Sequence, residues 1–111
     1  MDTLETYRHI VQEVLLAYTK IPYAHGDIQF EPIFDRETDR YALLIVGWED
    51  HKRVHGCLIH LDIVQGKLWI QRDRTEQGVT DDLVRAGIPQ DHIVLGFHPA
   101  HVRPFTAYAT A

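Results

Sequence analysis

The chain has one cysteine, Cys57, in 111 residues, so an internal disulfide framework is excluded. No apolar stretch approaches the roughly 20 residues that cross a bilayer, and there is no secretory h-region. The expected setting is therefore the reducing cytoplasm, with no membrane contact. Positive charge is scarce as well: 11 Lys and Arg stand against 16 Asp and Glu, for a formal net charge of −5. Such a balance excludes a chain that grips nucleic acid through its overall field, because phosphate neutralisation needs clustered cations. DNA, if engaged, is expected to be reached only indirectly, through partners. Short paired ligand spacings such as HExxH or CxxC are missing, and so is a phosphate-binding glycine loop, so neither a metal nor another cofactor is expected.

What is present suits one compact unit. With 45% hydrophobic and 24% charged residues, positions 1–111 are expected to form a single domain with a real core. Leu4, Tyr7, Val11, Val14, Leu15 and Tyr18 recur at three- and four-residue spacing, which predicts a helix from Asp2 to about Tyr18. Asp2 and Glu5 have the spacing of a capping box at its start. Pro22, Gly26 and Asp27 break that pattern. Ile28 to Phe34 then reads as an edge strand, since Pro32 cannot donate to a central ladder. After the polar turn Asp35 to Arg40, the run YALLIVGW (Tyr41 to Trp48) is apolar on both faces and predicts a central strand.

A third strand is expected from Val54 to Val64, with Gly56 as its bulge or close-contact point. Gln65-Gly66 makes a tight link to a fourth, Lys67 to Arg72, giving an antiparallel meander. Asp73-x-x-Glu76 repeats the capping pattern before a second helix carrying Val79, Leu83 and Ala86, which Gly87 and Pro89 stop. Asp91 to Phe97 offers a last short strand. The predicted architecture is α+β: an N-terminal helix and a second helix packed on an antiparallel β-meander.

Each candidate for chemistry has a plainer explanation. Eight histidines invite a metal reading. His55 and His60, however, differ by an odd number on one strand and so point to opposite faces unless a bulge intervenes, and His51, His98 and His101 lack ligand spacing. Glu49 and Asp50 end a strand at a turn, Asp62 has no diagnostic partner, and Asp73 and Glu76 are explained by helix capping. Cys57 lies in an apolar strand, where thiols pack rather than react. Trp48 and Trp69 fill space against a helix or anchor an interface, with Arg72, Arg74, Arg85 and Arg103 able to ring such a patch. Phe105 and Tyr108, in a tail without charge after Arg103, suit docking against the domain or another chain.

The succession YALLIVGW (41–48), HxxxxH (55–60), GKLWIQRDRTEQGV (66–79), LVxAGIPxxxIVLGF (83–97) and HVRPFTAYA (101–109) resembles the XisI family, the fdxN element excision controlling factors of cyanobacteria. The resemblance spans nearly the whole chain, and WIQxDxTE followed by a helix and IVLGF is its most specific part. It implies a small cytoplasmic cyanobacterial protein that helps control site-specific excision of a DNA element during differentiation of nitrogen-fixing heterocysts. In that system the recombinase, XisF, is separate, and XisI-like proteins accompany a second factor, XisH. The resemblance assigns no catalytic residue.

The expectation is thus an accessory factor rather than an enzyme, acting by protein–protein interaction with an XisH-like partner. Trp69, Gln71, Arg72, Asp73, Arg74, Glu76 and Arg103 are its expected contact surface. Two other readings stand beside it. One is an inhibitor or antitoxin-like cover for a nuclease-like XisH protein, its negative charge mimicking DNA. The other is a small metal-dependent enzyme built on the histidines. A homodimer is also expected, from an edge strand near Ile28 and the apolar tail.

Overall fold

The apolar stripe of the N-terminal segment does become one buried helix face. In the computed structural model, which describes residues 3–21 and 26–111, helix α1 spans Thr3–Tyr18 and buries Tyr7, Val11 and Leu15. The expected Asp2 cap lies outside the described residues, as does Pro22. Glu5 is turned to other work, pairing with Arg8 and Arg36. No described helix is long and apolar enough to cross a membrane.

Strands β1 (Asp27–Asp35), β2 (Arg40–Glu49), β3 (Lys52–Val64) and β4 (Lys67–Asp73) form an antiparallel meander in sequence order, with β1 at the edge. Helix α2 (Val79–Arg85) then returns the chain, and β5 (Ile93–Leu95) pairs with β4 in the parallel sense. The sheet is therefore mixed. The helix between β4 and β5 carries the chain back to the same end of the sheet, which a hairpin link cannot do. The β3–β4 link is a two-residue turn with both φ values positive, 51° at Gln65 and 79° at Gly66, matching the right-handed twist of its strands.

One side of the sheet takes both helices. Tyr41, Leu43, Ile59, Leu61, Ile63, Leu68, Ile70 and Ile93 alternate onto it and close a core with Tyr7, Val11, Leu15, Val79, Leu83 and Ile88. The β1–β2 turn is tied to α1 by a bidentate pair: Arg8 donates to Asp39 from Nε at 2.7 Å and Nη2 at 3.1 Å, and the Tyr41 hydroxyl donates to Asp39 Oδ1 at 3.0 Å. The Arg8 hydrogen bonds hold the Asp39 carboxyl below the ordinary carboxylate range against the opposing effect of burial. Burial, and then the bond to Asp39, pushes the Tyr41 phenol up to about 12, so it stays a donor.

A pH dependence follows. Because Asp39 has a lowered folded pKa, its stabilising contribution is complete above the ordinary carboxylate value and is lost as pH falls through the lowered one. Asn suits the left-handed backbone at this position, φ 56°. Asp39→Asn is therefore expected to cost about 1–2 kcal/mol at neutral pH, a deficit that shrinks below about pH 4. Urea titrations of both proteins between pH 7 and 2.5 check this.

Candidate contact surfaces

Strand alternation sends Trp69 away from the helices, because its neighbours Leu68 and Ile70 enter the core. The opposite, outer face of the sheet carries Arg40, Asp62, Trp69 and Val94 as one row of paired residues across β2 to β5, with Ala42, His60 and Arg72 as the next. The guanidinium of Arg103 sits 5.0 Å from the Trp69 ring centroid. It is fixed there by donating from Nε to the His98 carbonyl at 3.1 Å. The C-terminal segment thus lies over the β4–β5 side of the outer face. It is anchored further where Ala109 donates to the Ile93 carbonyl, and Val94 is fully buried on that side.

Beside this cover, Asp62 is 6% exposed. Its carboxylate lies 3.2 Å from His60 Nε2, 3.4 Å from Gln71 Nε2 and 3.5 Å from Arg40 Nη1. A buried carboxylate needs such partners, since desolvation without them costs several kcal/mol. Gln71 reaches Asp62 because the register of β3 and β4 shifts between His60 and Leu61, an irregularity that leaves Gln71 unpaired in the ladder.

The residues expected to form one surface are divided between two. Trp69, Gln71, Arg72 and Arg103 are on the outer face. Asp73, half-buried, is engaged within the chain: its carboxylate accepts from Thr75 N at 3.0 Å, Thr75 Oγ1 at 2.6 Å and Val79 N at 2.8 Å, fastening the first turn of α2. The capping box with Glu76 does not form. Helix α2 starts three residues after Glu76, and Glu76 is exposed. Arg74 and Arg85 do not join Arg72 in one basic patch, since Arg85 pairs with Asp82 on α2 and Arg74 lines a groove at the far end of the sheet.

That groove, about 420 Å³, lies where the β2–β3 hairpin runs beyond the helices. The β3 segment from Lys52 to Leu58 lines it, with Ile45 and Glu49 of β2 and with Arg74. Gly56 is not the bulge. The register shifts between Leu43 and Leu44 and skips Leu58, so Leu58 is the extra residue. A side chain at Gly56 would meet nothing closer than Ile45 Cγ1 at 3.9 Å. The bulge also corrects the histidine geometry. His55 pairs with Val46 and His60 with Ala42, so both point outward, but four residues apart along β2 they are separated by roughly 13 Å. Among the described residues no group of three His, Cys, Asp or Glu is placed to hold a metal ion. Burial pushes the Cys57 thiol up, with Arg72 pulling the other way, which disfavours the nucleophilic thiolate.

The family model described as XisI protein matches residues 1–110. The chain belongs to the XisI family. A XisI-like protein from Anabaena variabilis ATCC 29413, solved by crystallography, is 33% identical with a TM-score of 0.89; the match covers 97% of this chain and 99% of that one. The fdxN element excision controlling factor XisI from the same organism is 37% identical with a TM-score of 0.83, covering 99% and 100%. No curated protein matches the chain. The α+β arrangement is thus the XisI fold from end to end. The WIQRDRTE stretch, the most specific part of the XisI resemblance, is the strand-to-helix corner that buries Ile70, bonds Gln71 to Asp62 and caps α2 through Asp73.

Proposed function

We propose that this XisI-family chain is an accessory factor controlling site-specific excision of a DNA element, and that it acts by binding an XisH-like protein rather than by catalysis. The observation that carries the excision role is the full-length likeness to a protein described as fdxN element excision controlling factor, with near-complete coverage in both directions. Acting through a partner agrees with the acidic total charge, which opposes direct capture of DNA. It also agrees with the inert setting of Cys57.

The groove beside Arg74 is the anchor point for that partner. Its volume takes one or two side chains, and its lining is mixed: Ile45, Val54 and Leu58 supply apolar contact, while Glu49, Lys52 and Arg74 are at hand to orient a polar group. Gly56 gives a selective test. Valine there fills the groove without meeting backbone and replaces a residue that weakens strands, so stability is expected to hold or rise by up to about 1 kcal/mol. After co-expression with the XisH-like protein, the wild-type chain is expected to co-elute with it in size-exclusion chromatography, and Gly56→Val to elute alone. Co-elution of the variant would move the contact away from the groove, and failure of the wild type to co-elute would remove the partner reading.

A further inference from the structure

The uncovered part of the outer face has an order that the core does not use. Along β2, Ala42, Leu44 and Val46 point outward and stay half-buried, and Trp48 at the end of the row is 49% exposed. On one side the edge strand β1 presents Asp27, Gln29, Glu31 and Ile33, the last 52% exposed. On the other, β3 presents Arg53, His55, Cys57 and His60, and β4 adds Arg72. The face is an apolar stripe with the carboxylates of Asp27 and Glu31 on its left and, on its right, the guanidinium groups of Arg53 and Arg72 with His55 and His60 between them. From Arg40 to Trp48 the stripe is roughly 26 Å long, and four strands make it roughly 14 Å wide between the outermost axes.

We infer that this face is a homodimer interface, in which two copies pack outer sheet against outer sheet about a two-fold axis running along β2. Rotation about such an axis keeps Ala42, Leu44 and Val46 opposite their own copies and exchanges left for right. It lays β1 of one copy over β3 of the other, with Asp27 in the row of Arg53 and Glu31 in the row of Cys57. Sheets packed this way lie about 10 Å apart and nearly aligned, the arrangement of a β-sandwich. A two-fold interface must be self-complementary, and a stripe with opposite charges on its two flanks is. A two-fold axis perpendicular to the sheets is impossible for face-to-face packing, so this axis is the one that satisfies both the apolar centre and the charged flanks. A wholly basic partner would meet β3 and β4 with like charge, and a wholly acidic one would meet β1 so.

The C-terminal segment limits the contact to β1–β3 and part of β4, because Arg103 already occupies the face of Trp69. The second copy therefore lies beside that segment, and Ile45, Val54 and Arg74 of the groove stay outside the contact, although Arg53, His55 and Cys57 border both. The inference concerns the chain alone and is independent of its XisH-like partner.

Light scattering on the purified chain across 5–500 µM, concentrations on the order of those that populate weak and strong dimers, is expected to give twice the 12.9 kDa chain mass. Leu44→Asp, which sets two carboxylates against each other on the axis, is expected to weaken association by about 30-fold or more while the thermal melt stays cooperative. In a Cys57→Ser background, Val46→Cys is expected to be joined to its own copy by a short bis-maleimide cross-linker, which spans the roughly 10 Å between facing sheets that a direct disulfide does not. A monomeric mass throughout overturns the inference. So does a dimer that Leu44→Asp leaves intact, or, should that variant fail to fold, a Val46→Cys chain that does not cross-link; any of these leaves the face to a different protein.

Discussion

Replacing Gly47 by alanine is expected to destabilise the protein by upwards of about 3 kcal/mol and to release β1 from the sheet. Gly47 pairs with Ile28 where β1 begins, and there the incoming chain lies against it: a Cβ would come within 2.0 Å of the Asp27 carbonyl oxygen and 2.7 Å of Ile28 Cα. Both are backbone atoms, so no rotamer change relieves the overlap. Either the β1–β2 ladder opens at its first rungs, or the strand moves as a whole and Phe30 and Phe34 withdraw from their packing against the core. Hydrogen exchange of the β1 amides, compared with those of β3 and β4, distinguishes local opening from global loss. Uniform protection and an unchanged urea midpoint would show that the close approach has little energetic weight.

The second large effect is expected at Asp73. Asp73→Ala removes an acceptor for three hydrogen bonds, leaving the Val79 amide at the start of α2 and the Thr75 amide without their partner. A lost cap costs about 1 kcal/mol by itself, and the ordering of residues 74–78 depends on the same carboxylate, so about 2–3 kcal/mol is expected. Glu76→Ala is expected to stay within about 0.5 kcal/mol of wild type, because Glu76 is exposed and caps nothing. Equal losses at the two positions would restore the capping box that the sequence spacing predicts. Urea midpoints of the two variants decide between them.

These residues also mark how far pattern alone reaches. The α1 stripe, the central strand Tyr41 to Trp48 and the Gln65-Gly66 turn were legible because each is set by local spacing: 3.6 residues for a helix face, two for a strand, and positive φ for a tight hairpin. What escaped depends on non-local pairing. The bulges at Leu58 and Gln71 exist because β3 must stay in register with two neighbours at once, and no feature of the sequence near Gly56 announces that the extra residue is Leu58. Asp73 looks like a helix cap in the sequence and is one, but across six residues rather than three, because Gly78 lets the chain take φ 88° before the helix starts.

The expected contact surface failed as a single patch for a related reason. Trp69, Arg72 and Arg74 are close in sequence, yet alternation with the Gln71 irregularity keeps Trp69 and Arg72 on the outer face, while Arg74, beyond the end of β4, lines the groove. Alternation in β2 already placed Ala42, Leu44 and Val46 on one side and Tyr41, Leu43 and Ile45 on the other. Because both sets are apolar, the sequence reads as a strand covered on two faces. Helices cover one of those faces. The homodimer reading follows from the other, rather than from the edge strand and the tail.

The central claim is control of excision through a partner, and it is tested most directly by the excision product itself. A reporter plasmid carrying the excisable element and its recombinase would be placed in a host with the XisH-like protein, with or without this chain, and the joined DNA ends counted by quantitative amplification. The junction count is expected to change by on the order of tenfold when the chain is supplied, a coupling of about 1.4 kcal/mol, and Gly56→Val is expected to abolish the change. A junction count that is the same with and without the chain, both proteins being present and folded, would contradict it.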